Sequence, residues 1–373
     1  FWRALSSASV DADGCLKLPA GTWFMGNRDF GSAIYIRDCY CNLMEQINKL
    51  VAARRVQRVV ITGTPGIGKT CYAFYWLWHL RQTGRTVVYQ LGPGWYRFCG
   101  ATAVQGSRKA FLAAGYLDDP AAWYLSDPAD WFGGITLVFV TPRWVRYHEF
   151  LKAPAATKRF MPVWSEEELL RCAELLFSGQ DLERDVPQAR VRELFRRWGG
   201  VPRYVLQYAH DDERQGTLTA AIHHCSVGDL HAAIRSTGEG TGTTVVLSDK
   251  LVHIHTCGAF TSKRLMWASD YVFDEFCSAQ EKSLRLQLAA FLVRYLFWLC
   301  AACSISLWCT GCLARVGSSL ARSSVVSLVR PSHMRGQFTR PSASPSWLML
   351  KCNGACTTTQ QLALALLQRT RSH

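Results

Sequence analysis

The chain has 373 residues, enough for two or three domains with sizeable hydrophobic cores. Its formal net charge of +14 is unevenly spread, because no Asp or Glu follows Glu281 whereas 11 Lys and Arg do. The first 281 residues carry 31 basic and 28 acidic side chains, a net charge of +3. This balance argues against a nucleic-acid footprint on the globular part.

The cysteines indicate a reduced protein. There are 15 of them, an odd number, and several stand in apolar contexts such as those of Cys71 and Cys172. This usage is typical of free thiols rather than of the disulfide framework of a short secreted chain. The sequence begins with Phe1 rather than Met, so we expect any targeting segment to lie outside it.

Residues 1–52 are interpreted as a lead-in segment. A short strand is predicted at residues 22–25, and residues 33–36 lead into a helix over residues 37–51. Leu43, Ile47 and Leu50 recur in that helix at three- to four-residue spacing, which is typical of one buried helical face.

A glycine-rich loop follows a β-branched strand at residues 59–62. Residues 63–70 read GTPGIGKT and match G-x-x-x-x-G-K-[ST], the P-loop motif, between a strand and a helix. Its glycines allow positive φ and close approach of an anion, and its amides and the following helix N-terminus cradle phosphates. The predicted nucleotide-binding residues are Gly63, Thr64, Pro65, Gly66, Ile67, Gly68, Lys69 and Thr70. Lys69 is expected to contact the β- and γ-phosphates of ATP, and the Thr70 hydroxyl to hold Mg²⁺.

The segments after the loop predict an α/β fold. Residues 71–81 are interpreted as a helix, residues 86–91 as a strand and residues 92–106 as a turn-rich connection, before a helix at 107–115. Strand, loop, helix and strand form a βαβ unit, which predicts a parallel sheet with helices on both faces.

Two further buried strands are predicted to end on polar residues. Residues 121–127 end at Asp127, and residues 135–141 end at Thr141. An acid at the end of a core strand can organise Mg²⁺, and a polar residue beside it can contact the γ-phosphate or the attacking water. Asp118 and Asp119 are the alternative acids, and a strand cap is the alternative interpretation of Thr141.

The region after residue 164 is predicted to be mainly helical. Ser165 and Glu168 form a capping box that opens a helix, and we expect the acids of its first turn to be solvated. A second helix ends at Gly199-Gly200, and the following Arg203 is well placed to sense a γ-phosphate, the alternative being a solvated helix start. One strand is expected at residues 244–247 or 251–255.

The segment 282–373 changes character. Residues 295–314 carry no charge over a length that could span a bilayer, and they contain Cys300-x-x-Cys303 and Cys309-x-x-Cys312. Three interpretations stand: a membrane span, a zinc knuckle, or a translated intron or shifted frame that is poorly ordered. The third is favoured, because the lack of acids is unusual and the spacer between the Cys pairs is short.

Four motifs stand together in one order. They are residues 63–70, 124–127 (YLSD), 159–165 (RFMPVWS) and 198–203 (WGGVPR), and as a set they resemble the NTPase domain of Crinkler effectors, which is similar to that of retrotransposon hot spot proteins. The resemblance implies an AAA- or STAND-like P-loop ATPase domain over residues 1–281. It also implies a protein secreted into a host cell, often reaching the nucleus, with a host protein as a target.

The resemblance matches Lys69 and Thr70 to the phosphate and Mg²⁺ positions, Asp127 to the Walker B acid and Arg203 to the sensor arginine. We predict a lead-in segment (1–52), a P-loop NTPase core (53–164), a helical lid and sensor region (165–281) and a tail (282–373). The expected function is Mg²⁺-dependent ATP hydrolysis. The alternatives are a nucleotide-gated interaction module with little turnover, since no Glu follows Asp127, and a decayed gene copy.

Overall fold

The computed structural model describes residues 1–126, 130, 132–143, 146–178, 185–230, 248–256 and 258–302. The chain divides into two compact units, Phe1–Tyr295 and Leu296–His373. The elements below belong to the first unit, apart from the last turns of the final helix.

The N-terminal segment forms a small antiparallel sheet. Its strands are β1 (Ser9–Val10), β2 (Cys15–Lys17) and β3 (Ala33–Tyr35), in that order. The strand predicted at residues 22–25 is wrong: Phe24–Gly26 is a short 3-10 turn, with Met25 at a φ of 53°. Phe24 is buried there and stacks on Phe74, so packing of one ring rather than strand pairing fixes this segment. The predicted helix is confirmed as α1 (Asp38–Ala52).

The main sheet has seven strands. They are β4 (Arg58–Thr62), β5 (Val87–Leu91), β6 (Gly94–Cys99), β7 (Thr102–Gly106), β8 (Trp123–Ser126), β9 (Ile135–Phe139) and β10 (Ala156–Phe160). Their order is β10-β4-β9-β8-β5-β6-β7. The first five in this order are mutually parallel, and β6 and β7 extend the sheet as antiparallel strands.

This order places a topological switch point at β4. The chain leaves β4 through α2 (Lys69–Gln82) and returns at β5, passing over the positions that β9 and β8 later fill. The strand that completes the sheet on the other side of β4 is β10. Ligands of open α/β sheets bind at the carboxyl ends of the strands at such a point.

The sheet differs from the predicted one in two places. Residues 92–106 were expected to form a turn-rich connection, but they contain the β6–β7 hairpin, which begins after a left-handed Gly92 and buries Trp95 and Phe98. The strand β10 was not predicted either, because Lys158 and Arg159 interrupt its apolar pattern. The predicted parallel sheet is therefore mixed, although its parallel part dominates.

Helices cover both faces of the sheet, as predicted. On one face lies α2, whose buried residues are spaced all around the helix and include Tyr72, Phe74, Trp76 and Leu77. Its outer side is buried because the N-terminal segment and α1 cover it. On the opposite face α3 (Arg108–Ala113) and α4 (His148–Leu151) each pack a buried Phe against the strands. A helix enclosed on all sides is expected to be apolar all round.

The C-terminal part of the first unit is mainly helical. It contains α5 (Glu166–Leu176), α6 (Gln188–Trp198), a π-helical turn (Arg203–Gln207), α7 (Asp212–His224), α8 (Ser248–Leu251), β11 (Val252–Thr256), β12 (Lys263–Trp267) and α9 (Asp270–Ala302). The predicted capping box of Ser165 and Glu168 is confirmed. The strand predicted at residues 251–255 corresponds to β11, which pairs with the unpredicted β12, whereas the alternative at 244–247 lies outside the described residues.

The helix α9 runs beyond the predicted start of the disordered tail, so residues 282–302 are helical. Residues 303–373, with Cys303, Cys309 and Cys312, lie outside the described residues. Among the helices of the described part, none is both long and apolar enough to cross a membrane. The same residues contain no group of three or more His, Cys, Asp or Glu able to hold a metal ion.

A buried arginine joins three segments that are distant in sequence. Arg37 is 1% exposed, and its guanidinium donates to both carboxylate oxygens of Glu168 at 2.9 and 2.8 Å. It also donates to the carbonyl oxygens of Pro162 and Val163 at 3.0 and 2.9 Å. Its Cζ lies 4.7 Å from the centroid of the Trp164 ring. Glu168 was expected to be solvated, but it is the counter-ion of this arginine.

We predict that Arg37→Met lowers the free energy of unfolding by about 3–5 kcal/mol, because it leaves the Glu168 carboxylate unpaired in a largely buried position. Urea unfolding followed by circular dichroism measures the change. Arg171→Met is the matched control, since Arg171 is exposed and pairs with Glu174 and Asp13 on the surface; its cost should stay below about 1 kcal/mol. Equal losses in the two variants would contradict the prediction.

Candidate functional site

The P-loop, residues 63–70, occupies the switch point of the sheet. It connects the buried end of β4 to the first residues of α2, with Gly63, Gly66 and Gly68 at φ values of 155°, 83° and 93°. A Cβ on Gly63 would lie 2.6 Å from the Met161 carbonyl oxygen, and one on Gly68 would lie 2.9 Å from the Tyr40 hydroxyl. The backbone therefore requires glycine at these positions, both for conformation and for space.

The cation of the loop lies over its own backbone. Lys69 Nζ donates to the carbonyl oxygens of Gly63 and Thr64, both at 3.0 Å, and the side chain is partly exposed. Thr70 is exposed in the first turn of α2, a turn that contains no acidic residue. The positive end of α2 is thus not neutralised from within the helix, which suits an anionic ligand.

Two aromatic side chains donate hydrogen bonds to carbonyl oxygens of the loop. The Tyr40 hydroxyl donates to the Gly68 carbonyl at 3.0 Å, and Trp164 Nε1 donates to the Ile67 carbonyl at 2.8 Å. These bonds satisfy two carbonyl oxygens of the loop and fix its course. Sequence reasoning missed both residues in this role; Trp164 stood in a quoted motif, but no spacing connects either one to the loop.

Two acidic side chains next to the loop, Tyr40 and Cys71, are held neutral. Burial raises the pKa of the Tyr40 hydroxyl well above its ordinary value, so it stays a donor to Gly68. Burial also raises the pKa of the Cys71 thiol to about 11, immediately after Thr70. Because neither side chain ionises near neutral pH, neither adds negative charge beside a phosphate site.

Arg203 lies against the loop. A Cβ on Gly66 would be 3.0 Å from Arg203 Cβ and 3.4 Å from its Nε. The preceding turn allows this approach, since a Cβ on Gly200 would lie 2.0 Å from the Trp164 carbonyl oxygen and Gly199 has a φ of 62°. The structure therefore brings the predicted sensor arginine to the predicted loop.

Three hydroxyl groups lie at the carboxyl ends of neighbouring strands. Thr62 ends β4, Ser126 ends β8, and Thr141 follows β9 by two residues. Each side-chain oxygen is buried, and none has a hydrogen-bond partner among the described residues. Buried hydroxyls normally have partners, so these three fit a polar ligand or ordered water. Oxygen donors are also those that Mg²⁺ prefers. Ser126 and Thr62 were missed as candidates.

The predicted acid, Asp127, lies outside the described residues, one position after Ser126. The alternative acids can be located. Asp118 and Asp119 precede β8, and the Asp119 carbonyl accepts from the Tyr124 hydroxyl. They therefore stand towards the amino end of this strand, at the edge of the sheet opposite the P-loop.

Comparison with known proteins gives relatives that match part of the chain. No family model matches it. Crinkler effector protein 15 of Phytophthora infestans is 28% identical over 248 residues, which cover 64% of this chain and 38% of the relative. Crinkler effector protein 16 of the same organism is 29% identical over 250 residues, with the same coverage. The chain thus matches well under half the length of these curated relatives.

Among solved structures, the RuvB Holliday junction branch migration motor of Thermotoga maritima has a TM-score of 0.31 and 15% sequence identity. The alignment covers 48% of this chain and 63% of that one. The two sequence matches do confirm the resemblance seen in the motifs. The chain is thus similar in sequence to Crinkler effector proteins over 64% of its length.

Proposed function

We propose that residues 1–281 form an AAA- or STAND-like P-loop NTPase domain that binds ATP with Mg²⁺ and hydrolyses it. The observation that carries the proposal is the P-loop itself, a complete motif at the switch point of a parallel-dominated sheet, with Arg203 against Gly66. The insertion of β9 and β8 between β4 and β5 agrees with this class of fold. We propose that segments 1–52, 53–164 and 165–281 serve as lead-in, core, and lid with sensor. The predicted tail, 282–373, begins within α9.

Phosphate binding is assigned to the loop amides, the N-terminus of α2 and Lys69. In the structure Lys69 Nζ bonds to two carbonyl oxygens of the loop, and a triphosphate would take the place of these partners. A charge-assisted bond to phosphate is stronger than one to a neutral carbonyl, so the exchange is favourable. The loop thus has its cation in reach before a ligand arrives.

The roles at the carboxyl edge follow from the donors present there. Thr70 and Asp127 would hold Mg²⁺, which when bound neutralises charge on the β- and γ-phosphate oxygens. Thr141, whose hydroxyl has no partner among the described residues, would orient the γ-phosphate or the water. In the reaction, the water oxygen bonds to the γ-phosphorus, the bond to the ADP oxygen breaks, and the water proton passes to the released phosphate or to solvent. Arg203 would stabilise the transferred group.

The rival function is a nucleotide-gated interaction module that binds ATP but turns over little. Pro128 rather than Glu follows Asp127, so no adjacent carboxylate accepts the proton of the attacking water. A decayed gene copy is a further alternative. A single-turnover assay with Mg-ATP distinguishes these: release of phosphate supports the enzyme, tight binding without release supports the module, and no binding supports decay.

The family name motivates a proposal about setting. We propose that the chain acts as an effector inside a host cell, with a host protein as its target and the nucleus as one destination.

We predict that Lys69→Ala abolishes the thermal stabilisation by Mg-ATP, because it removes the cation placed for the β- and γ-phosphates. The parent should gain about 2.7 kcal/mol of stability at a nucleotide concentration near 100 times Kd, which a thermal-shift assay detects. Lys49→Ala is the control, since Lys49 is an exposed residue paired with Glu45 on α1. Equal shifts for the parent and Lys69→Ala would refute the assignment.

We predict that Asp127→Asn keeps ATP binding but slows Mg²⁺-dependent phosphate release by at least about tenfold, because the acid that organises the metal is lost. Asp119→Asn is the matched control and should leave the rate unchanged. A slow Asp119→Asn with a normal Asp127→Asn would place the metal-organising acid before β8.

We predict that Arg203→Ala lowers the single-turnover rate by about a hundredfold or more, with a change in ATP affinity of only a few-fold, as for an arginine that acts on the transferred phosphate. Arg214→Ala is the control, because Arg214 is an exposed arginine of α7. If Arg203→Ala weakens binding and leaves the rate of bound ATP unchanged, the residue is a binding group rather than a sensor.

A further inference from the structure

The β-hairpin formed by β11 (Val252–Thr256) and β12 (Lys263–Trp267) is hydrogen-bonded to the P-loop. The backbone N–H of Ile254 in β11 donates to the side-chain oxygen of Thr64 at 2.9 Å, and this contact is buried. Thr64 is 1% exposed. It occupies a variable position of the motif, for which the motif alone assigns no side-chain role.

The direction of this bond follows from the pairing of the hairpin. Ile254 stands opposite Leu265 in the antiparallel pair, and its N–H is used on Thr64. In such a pair, residues alternate between facing the partner strand and facing away from it. The N–H of Ile254 therefore points away from β12. Its rate of hydrogen exchange reports whether the hairpin is docked onto the loop, and not whether the hairpin itself is formed.

The same hairpin contacts the other parts of the site. The Phe160 N–H at the end of β10 donates to the Phe260 carbonyl at 2.8 Å, beside the P-loop strand. A Cβ on Gly199, in the turn that leads to Arg203, would lie 2.0 Å from the Ala268 carbonyl oxygen. The loop and the neighbouring strand border this hairpin, and the turn that leads to Arg203 borders the residue that directly follows it.

Thr64 connects the hairpin to the phosphate-binding cation. Its hydroxyl accepts from Ile254, while its carbonyl oxygen accepts from Lys69 Nζ at 3.0 Å. A change in the position of Lys69 on binding phosphate would act on the residue that the hairpin holds. The hairpin and Lys69 are therefore connected through one residue, Thr64, and two hydrogen bonds.

We propose that the hairpin of β11 and β12 positions the P-loop for Mg-ATP, with Thr64 as the positioning residue, and that bound nucleotide in turn stabilises the docked hairpin. The proposal rests on the nucleotide binding proposed above. The two effects are reciprocal, because a group that favours the binding conformation is itself favoured by the ligand. Neither requires a contact between the hairpin and ATP.

The docked hairpin also reaches the start of α9. Ala268 N–H donates to the Leu251 carbonyl at 2.9 Å, and the next residue, Ser269, donates its hydroxyl to the Arg197 carbonyl at 2.8 Å. Val272 N–H donates to the Ser269 hydroxyl, which caps the first turn of the helix. Stabilisation of the hairpin is therefore expected to extend to the first turn of α9.

The test combines exchange and binding on the full chain, with Mg²⁺ and the non-hydrolysable analogue β,γ-imido-ATP as the probe. Hydrogen–deuterium exchange resolved to single amides should slow at Ile254 by about tenfold in the parent. Thr64→Val removes the acceptor at constant volume; it should lose this slowing and bind the analogue about five- to tenfold more weakly. Thr64→Ser keeps a hydroxyl and should retain both properties.

The amide of Phe111, which donates to the Ser107 carbonyl on the other side of the sheet, is the control for global protection and should not change between the variants. Unchanged exchange at Ile254 in a parent that binds the analogue, or equal affinity in Thr64→Val and parent, overturns this inference and leaves nucleotide binding intact. A parent that does not bind overturns both. If Thr64→Val does not fold, exchange in the parent and the affinity of Thr64→Ser decide.

Discussion

The arrangement around the P-loop depends on one buried ion pair, that of Arg37 with Glu168. Taking a guanidinium out of water is costly, and the cost is met only when nearly all its donors are satisfied. Here two carboxylate oxygens and two backbone carbonyls do so. Burial acts most strongly and lowers the pKa of Arg37, but the hydrogen bonds to Glu168 and the Coulombic effects of Glu168, Cys39 and Tyr40 together outweigh it, so the pKa is raised. The charge is thus permanent, and the segment that contains its carbonyl partners cannot move without leaving it unpaired.

That constraint reaches the loop through neighbouring residues. Arg37 stacks on Trp164, and Trp164 donates to the Ile67 carbonyl. Three residues after Arg37, in the first turn of α1, Tyr40 donates to the Gly68 carbonyl. Glu168 meanwhile caps α5, which fixes where the chain turns after Trp164. Two carbonyls of the loop are therefore held by groups that one arginine positions, and the glycines alone do not determine the shape of the loop.

Whether a residue of this site could be predicted from the sequence depends on how far along the chain its interaction partner lies. The P-loop was predictable because its motif consists of eight contiguous residues, and the position of Arg203 because a Gly-Gly turn precedes it. Tyr40 and Trp164 contact the loop from 28 and 97 residues away, and Ile254 from 190, so no local pattern points to them. Among the strands, those with an uninterrupted apolar sequence were predicted correctly. The strand β10 was not predicted, because a short segment that contains charged residues has the sequence pattern of a loop.

The loop in this structure is held in one conformation by the folded chain itself, so the proposed binding of phosphate would start from an ordered loop. Four of its carbonyls accept hydrogen bonds from Tyr40, Trp164 and Lys69, and the Thr64 hydroxyl accepts one from Ile254, so few of its groups would need to reorganise. Of these contacts, the bonds of Lys69 are the ones that a triphosphate must replace. The ordering of the loop is thus supplied by folding rather than by the ligand, which reduces the conformational cost of binding. The loop is therefore sensitive to distant residues. A substitution that removes one of these hydrogen bonds would leave part of the loop to be ordered on binding, and the affinity for the ligand would fall.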